Sequence, residues 1–226
     1  MTIDNITIVI PAKDEAGNIA RILEGCLKIS DSVIVVDGRS ADDTRAIAES
    51  FGVKVIQDNG KGKGDGIRCA LPHIERDIAV FIDADGSHNP EDIPRLVQPI
   101  LDGEADHVSG SRLTGGSSEL HGGLDEFLRL AGSAFITLCI NWRFKVSLSE
   151  SQNGFRAIKT CVIKQLGLKE NITTIEQEMI IKTLKKGFRM GEVPAHEHRR
   201  CHGKSSIVVR KVWPRYIFSF IKYLLF

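Results

Sequence analysis

The chain has 226 residues, with 30 basic and 29 acidic side chains and a net charge of +1. That length suits one α/β core with its covering helices, and the balanced charge gives no basis for a nucleic-acid partner. Five cysteines with no CxxC pair among them point to a reduced, cytoplasmic setting rather than a disulfide framework.

Short β-rich runs alternate with helical patterns from the start. Met1 leads within a few residues into an apolar run at 6–10, so no signal peptide is expected. Further strands are predicted at 32–36, 54–57, 78–82 and 107–111, with helices at 16–27 and 42–51 between them. In the first helix Ile19, Ile22, Leu23, Cys26 and Leu27 recur at helical spacing. This alternation is the pattern of βαβ units and a largely parallel sheet. Beyond it come a predicted helix at 124–144, a turn-to-strand segment Asn153-Gly154-Phe155-Arg156 and a helix at 175–186. The expected organisation is one domain over 1–210, followed by an amphipathic helix at 211–226.

In such sheets ligands bind beyond the carboxyl ends of the strands. Four segments are selected on that ground: Pro11-Ala12-Lys13-Asp14-Glu15, Asp37-Gly38-Arg39-Ser40, Gly60-Lys61-Gly62-Lys63-Gly64 and Asp83-Ala84-Asp85-Gly86-Ser87. Asp83 and Asp85 flank a small residue directly after an apolar strand, which suits a hard divalent cation such as Mg²⁺ or Mn²⁺ shared with substrate phosphates. The competing reading is a pair of solvated loop aspartates. The glycines of 60–66 allow close approach to a phosphate, with Lys61 and Lys63 adding charge, although an ordinary turn has the same composition. Neither a P-loop nor a dinucleotide fingerprint is present.

In their order, these segments resemble family 2 glycosyltransferases of the GT-A fold, closest to the polyprenyl-phosphate (dolichyl-phosphate) hexose synthases. Ile10-Pro11-Ala12-Lys13-Asp14-Glu15 is similar to the family's IPxxNE turn, with Asp14 where Asn is common. Val36-Asp37-Gly38-Arg39-Ser40-Ala41-Asp42-Asp43-Thr44 is similar to its VDDGSxDxT segment, with Gly38 for the second Asp and Arg39 where Gly or Asn is usual. The likeness continues through Gly62-Lys63-Gly64, Asp83-Ala84-Asp85-Gly86-Ser87-His88-Asn89-Pro90 and Gly110-Ser111-Arg112. Asn153-Gly154-Phe155-Arg156 stands for the SGFR element, and Arg200-Cys201-His202-Gly203-Lys204-Ser205 for the RxxGxSK element.

The resemblance implies an inverting hexosyltransferase with an α/β GT-A sheet covered on both faces. Pro11, Glu15, Asp37, Lys63, Asp83 and Ala84 would line the nucleotide-sugar pocket. Asp83 and Asp85 would hold Mg²⁺ or Mn²⁺, with Ser87 as a further ligand where a Gln is often found. Arg112, Arg129, Arg156, Arg200 and Lys204 would receive the acceptor phosphate, since guanidinium groups suit bidentate phosphate binding. Asp85, Glu150, Arg112 and Arg200 are the expected catalytic set, Glu150 assisting the acceptor or orienting an arginine. Glu176 and Glu178 are rival carboxylates, otherwise read as a solvated first helical turn.

The donor would be GDP-mannose or UDP-glucose, and the acceptor a polyprenyl phosphate. The aromatic, cation-flanked stretch at 211–226 would then rest peripherally on the cytoplasmic face of a membrane, or else pack on the domain, in a homodimer or on a membrane-protein partner. A transferase acting on a saccharide acceptor is the alternative. A haloacid dehalogenase-type phosphatase fits less well, because its DxDGT loop closes the first strand of the domain rather than the fourth.

Overall fold

The computed structural model describes residues 2–118, 124–200 and 209–225, the side chains of 124–129 and 209–213 apart. The first half runs β1 (Ile6–Ala12), α1 (Ile19–Leu27), β2 (Val33–Asp37), α2 (Thr44–Ser50), β3 (Lys54–Gln57), α3 (Lys63–Ala70), β4 (Ile78–Phe81) and α4 (Ile93–Leu101). The second half runs β5 (His107–Ser111), α5 (Arg112–Gly115), α6 (Leu124–Phe144), β6 (Arg156–Lys159), α7 (Thr160–Gln165), α8 (Ile175–Lys185), β7 (Met190–Pro194) and α9 (Val209–Leu225).

The strands form one sheet in the order β3-β2-β1-β4-β6-β5-β7. All neighbours are parallel except β6, which runs antiparallel to both β4 and β5. That reversal puts the start of β6 where β4 and β5 end. Phe81 pairs with Arg156, so Asp83, two residues on, meets Gly154, two residues back. The ends of β1, β2, β4, β5 and β7 and the start of β6 therefore share one rim.

Both sheet faces are buried, as a mostly parallel sheet requires. Ile6, Ile8 and Ile10 of β1 pack on one face with Ile19, Ile22 and Leu23 of α1 and Leu96 and Val97 of α4. Val9, pointing the other way, packs with Phe81, Ile67 of α3, Val162 of α7 and Met179 of α8. A third cluster joins α6, α8 and α9 through Ile136, Ile140, Ile180, Ile181, Phe220 and Tyr223.

Helix α1 begins at Ile19, three residues later than the periodicity predicts, because the preceding amides are tied to the loop after β2. Asp14 N–H donates to Ser40 Oγ (3.0 Å), Glu15 N–H to Thr44 Oγ1 (2.8 Å) and Ala16 N–H to Asp42 Oδ2 (3.0 Å). Arg39 has φ +60°, a left-handed backbone that Gly or Asn adopts more readily. The departure from the family pattern noted at this position is thus a departure in side chain alone.

The glycines of 60–66 serve the fold. A Cβ on Gly64 would lie 2.5 Å from the Glu170 carbonyl oxygen and 2.8 Å from that of Ile172, and one on Gly62 would lie 2.9 Å from that of Asn171. Gly62 and Gly64 approach the chain's own backbone closely, and α3 already begins at Lys63. In an open helix Gly64→Ala would gain about 1 kcal/mol. Here the two fixed carbonyls decide the sign, and overpacking should cost about 1–3 kcal/mol, read as a lower urea midpoint at unchanged m-value.

Candidate active site

Two ion clusters occupy the rim. In the first, Lys63 Nζ lies 2.7 Å from Asp83 Oδ1 and 2.8 Å from Glu176 Oε1. Burial alone would pull its ammonium down, but the two carboxylates outweigh that and raise it above the ordinary lysine value. Asp83 is held low in return: burial pushes it up, and Lys63, helped by His88 and Arg200, more than reverses the effect. A Cβ on Gly154 would sit 2.5 Å from Lys63 Nζ and 2.8 Å from Asp83 Oδ2, so Gly is required where β6 opens over this pair.

Beside it Arg200 spans Asp85 Oδ2 at 2.6 Å and Glu15 Oε1 at 3.1 Å. The other Asp85 oxygen accepts the Ser87 N–H at 2.9 Å. Burial raises the Glu15 carboxyl; Asn18 and Arg200 oppose this, while Asp85 and Asp83 add to it. Asp37, buried at the end of β2, accepts the Ser40 N–H through Oδ1 at 3.0 Å.

The second cluster is centred on Arg112. Its Nε donates to Glu150 Oε1 at 2.7 Å, its NH2 reaches the same oxygen, its NH1 donates to Glu197 Oε1 at 2.8 Å, and its backbone N–H donates to Glu150 Oε2 at 3.0 Å. Glu192 fixes the Glu150 backbone by accepting the Ser149 and Glu150 amides. Between the clusters lies His88, stacked on Phe155 with centroids 5.1 Å apart, its Nδ1 3.1 Å from Ser87 Oγ. Burial holds this imidazole below its usual value of 6.5, against the pull of Asp83, Glu197 and Asp85.

The model of the family described as glycosyl transferase family 2 matches residues 7–163. The chain belongs to that family. A Methanocaldococcus jannaschii protein of undescribed function is 34% identical over 84% of this chain and 80% of its own. A dolichyl-phosphate hexose transferase of Haloferax volcanii is 28% identical over 85% and 82%, and a UDP-N-acetylglucosamine–dolichyl-phosphate N-acetylglucosaminyltransferase of Methanococcus voltae is 28% identical over 93% and 94%. Glucosyl-3-phosphoglycerate synthase of Mycobacterium tuberculosis, solved with Mn²⁺, UDP and glucosyl-3-phosphoglycerate, aligns over 98% of this chain and 80% of its own at a TM-score of 0.75 and 22% identity. That likeness carries the GT-A fold.

The protein is accordingly a glycosyltransferase that draws its sugar from a nucleotide sugar. Of the residues expected for that work, Glu15, Lys63, Asp83, Asp85 and Arg200 meet in one cluster, and Arg112 and Glu150 in the other. Pro11 and Ala84 lie in the same strand-end segments. Among the described residues no three acidic, His or Cys side chains form a ready-made metal group. Two oxygen donors suffice for a cation that takes its remaining ligands from substrate phosphates and water, and Asp83 and Asp85 supply hard oxygens of that kind.

Three expectations change. Arg156 is 1% exposed and gives its guanidinium to the carbonyls of Asn153 and Glu176, so it braces the loop before β6 and cannot receive a phosphate without unpairing both. Ser87 shares its hydroxyl with His88 Nδ1, so as a metal ligand it would have to give up that contact. Glu176 and Glu178 are buried, the latter accepting the Lys169 and Glu170 amides and 2.7 Å from Lys182, so the first turn of α8 is not solvated. The Arg129 side chain and Lys204 lie outside the described residues. Glu197 and His88 were missed, one hidden in a run of histidines and the other looking like loop.

Arg112→Met would leave Glu150 and Glu197 buried without their cation, at a cost of about 3–5 kcal/mol at neutral pH. Burial raises Glu197 and Arg112 with Ser117 more than offsets it, so its folded value is below the ordinary 4.5. Its stabilisation is present above 4.5 and is lost as pH falls through the folded value. The deficit of the variant, measured by urea unfolding, should narrow as the pH falls through the folded value of Glu197, below 4.5, where the parent loses that ion pair as well.

Proposed function

We propose that this glycosyltransferase moves a hexose from GDP-mannose or UDP-glucose to a polyprenyl phosphate, with inversion and with Mg²⁺ or Mn²⁺ bound, at the cytoplasmic face of a membrane. The observation that carries the reading is the charge arrangement at the rim: strand-end carboxylates for a cation and diphosphate, and arginines Arg112 and Arg200 beside them. The two dolichyl-phosphate transferases among its relatives support the choice of acceptor.

In this reading Asp37 accepts hydrogen bonds from the base or ribose, and Asp83 and Asp85 hold the divalent ion. Such an ion offsets charge on the leaving nucleoside diphosphate. An acceptor phosphate is ionised near neutral pH, so no strong base is needed. This agrees with Glu150, which is fully engaged with Arg112 and acts by orienting it. Lys63 positions Asp83, and Arg112 and Arg200 draw the phosphate oxygen toward the sugar carbon from the side opposite the leaving group.

Membrane association is supported by two apolar stripes. Phe135, Leu138 and Trp142 of α6 are exposed, and so are Phe218, Ile221 and Leu225 of α9; each trio has the same i, i+3, i+7 spacing along one helix face. No helix among the described residues is long and apolar enough to cross a bilayer. Helix α9 is also part of the fold, through buried Phe220 and Tyr223. It thus combines two of the alternatives read from sequence, packing inward on one side and presenting apolar side chains outward on the other.

Asp85→Asn should lower transfer to polyprenyl phosphate in vesicles by at least about a hundredfold, a loss of roughly 2.7 kcal/mol in the barrier, while its thermal transition stays within a few degrees. Chelation should abolish wild-type transfer. Transfer that proceeds on a soluble saccharide and never on the lipid phosphate would select the other acceptor class.

Replacing Phe218, Ile221 and Leu225 together by Ser spares the buried side of α9. In flotation with vesicles containing anionic lipid the variant should stay in the dense fraction while the parent rises, because each buried apolar side chain supplies about 1.5–3 kcal/mol of partitioning. Equal flotation of the two would remove α9 from the membrane contact.

A further inference from the structure

We propose that Arg200 is a positioning residue exchanged between two anions: counter-ion of Asp85 and Glu15 in the unliganded site, and partner of the acceptor phosphate once cation and nucleotide take those carboxylates. This rests on the reading above.

The geometry points this way in three respects. First, Arg200 holds Asp85 Oδ2, while Oδ1 is committed to the Ser87 amide, so the oxygen a divalent ion needs is the one the guanidinium covers. Second, carboxylates outnumber the cations that pair with them: among the described residues Glu15, Asp83, Asp85 and Glu176 make ion pairs with Lys63 and Arg200. A divalent ion entering there would meet acidic groups rather than a neutral surface.

Third, the two cations are placed differently. Lys63 sits between Asp83 and Glu176 beneath Gly154. Arg200 reaches Asp85 and Glu15 from the loop after β7, two residues beyond His198, whose amide is anchored to the Ser87 carbonyl at 2.8 Å. A long side chain carried beside such an anchor can exchange one anionic partner for another without a shift of backbone. The same segment carries Glu197, which holds Arg112. A divalent ion held by Asp83 and Asp85 would repel the Arg200 charge, and an acceptor phosphate would offer that guanidinium a new counter-ion.

The test measures Mn²⁺ binding rather than turnover. Free Mn²⁺ is followed by electron paramagnetic resonance during titration of the full chain, for wild type, Arg200→Gln and Asp85→Asn, with and without a nucleoside diphosphate. Arg200→Gln should bind Mn²⁺ more tightly, by roughly threefold to tenfold, the scale of a partly exposed ion pair removed from competition. A purely structural arginine would give weaker or unchanged binding in that variant, and that result would overturn the proposal. In the second arm the phosphate is offered as a short-chain prenyl phosphate or as inorganic phosphate. Either should bind wild type more tightly with Mn²⁺ and nucleotide present, and the gain should vanish in Arg200→Gln, since coupling between two ligands is reciprocal. A gain confined to the prenyl ester identifies the lipid as the anion's source; no gain with either sinks the exchange. Mn²⁺ affinity that is real but indifferent to Arg200 refutes the exchange and leaves the metal-dependent reading standing, whereas no Mn²⁺ binding at all, with nucleotide present, ends both.

Discussion

One ammonium group, Lys63 Nζ, joins three stretches of chain that are far apart in sequence. It contacts Asp83 beyond β4 and Glu176 in α8, and it lies under the backbone of Gly154 at the opening of β6. Two carboxylates this close, one of them buried, would repel each other and be driven toward their neutral forms without it. With it, Asp83 stays ionised and fixed, which is the state a metal-binding carboxylate needs. The contact exists because α3 is pressed against residues 170–172 through Gly62 and Gly64, where any side chain would strike a carbonyl. Packing of glycine on backbone thus determines where a charge stands on the rim.

The Arg112 cluster repeats the device on the other side of β6. There the guanidinium is shared by Glu150 and Glu197, and Glu150 is itself steadied by the backbone bonds that Glu192 accepts. Breaking one partner in such a set costs more than the set contributes as a whole. Arg156 behaves differently, since its partners are carbonyls and its work is to hold the loop before β6. Three arginines near one site therefore differ: Arg156 braces backbone, Arg112 pairs with two carboxylates while staying partly exposed, and Arg200 sits on carboxylates that another cation would claim.

Much of the frame was legible in the sequence because its signals are local. Apolar runs announce β1 to β5, and the polar residues directly after them, Asp37, Asp83 and Asp85, fall at strand ends by simple counting. The order of the motifs carried the family. What was not legible depends on partners distant along the chain. Glu176 looks like an acid favouring a helix N-terminus until Lys63, 113 residues away, is found against it. Arg156 looks like a surface cation until β6 turns out to run antiparallel between two other strands, which carries it inward. Glu15 and Arg200 are 185 residues apart, and no periodicity links them. Ser87 was read for its place in a motif, whereas its hydroxyl direction is set by the buried ring of the next residue.

The reversal of β6 divides the sheet along a seam. On one side β3, β2, β1 and β4 come from the first 81 residues in an unbroken βαβ series; on the other, β5 and β7 belong to the later half. On the proposed reading, the nucleotide pocket and the acceptor-facing residues would come from separate blocks of sequence, although the two blocks share their cores, Val9 packing with Val162 and Met179. At the rim the blocks are further joined by ion pairs, Lys63 with Glu176 and Arg200 with Asp85 and Glu15. An exchange at Glu176 or Arg200 in the later block would therefore be felt at Asp83, Asp85 and Glu15 in the earlier one, however far apart they lie along the chain.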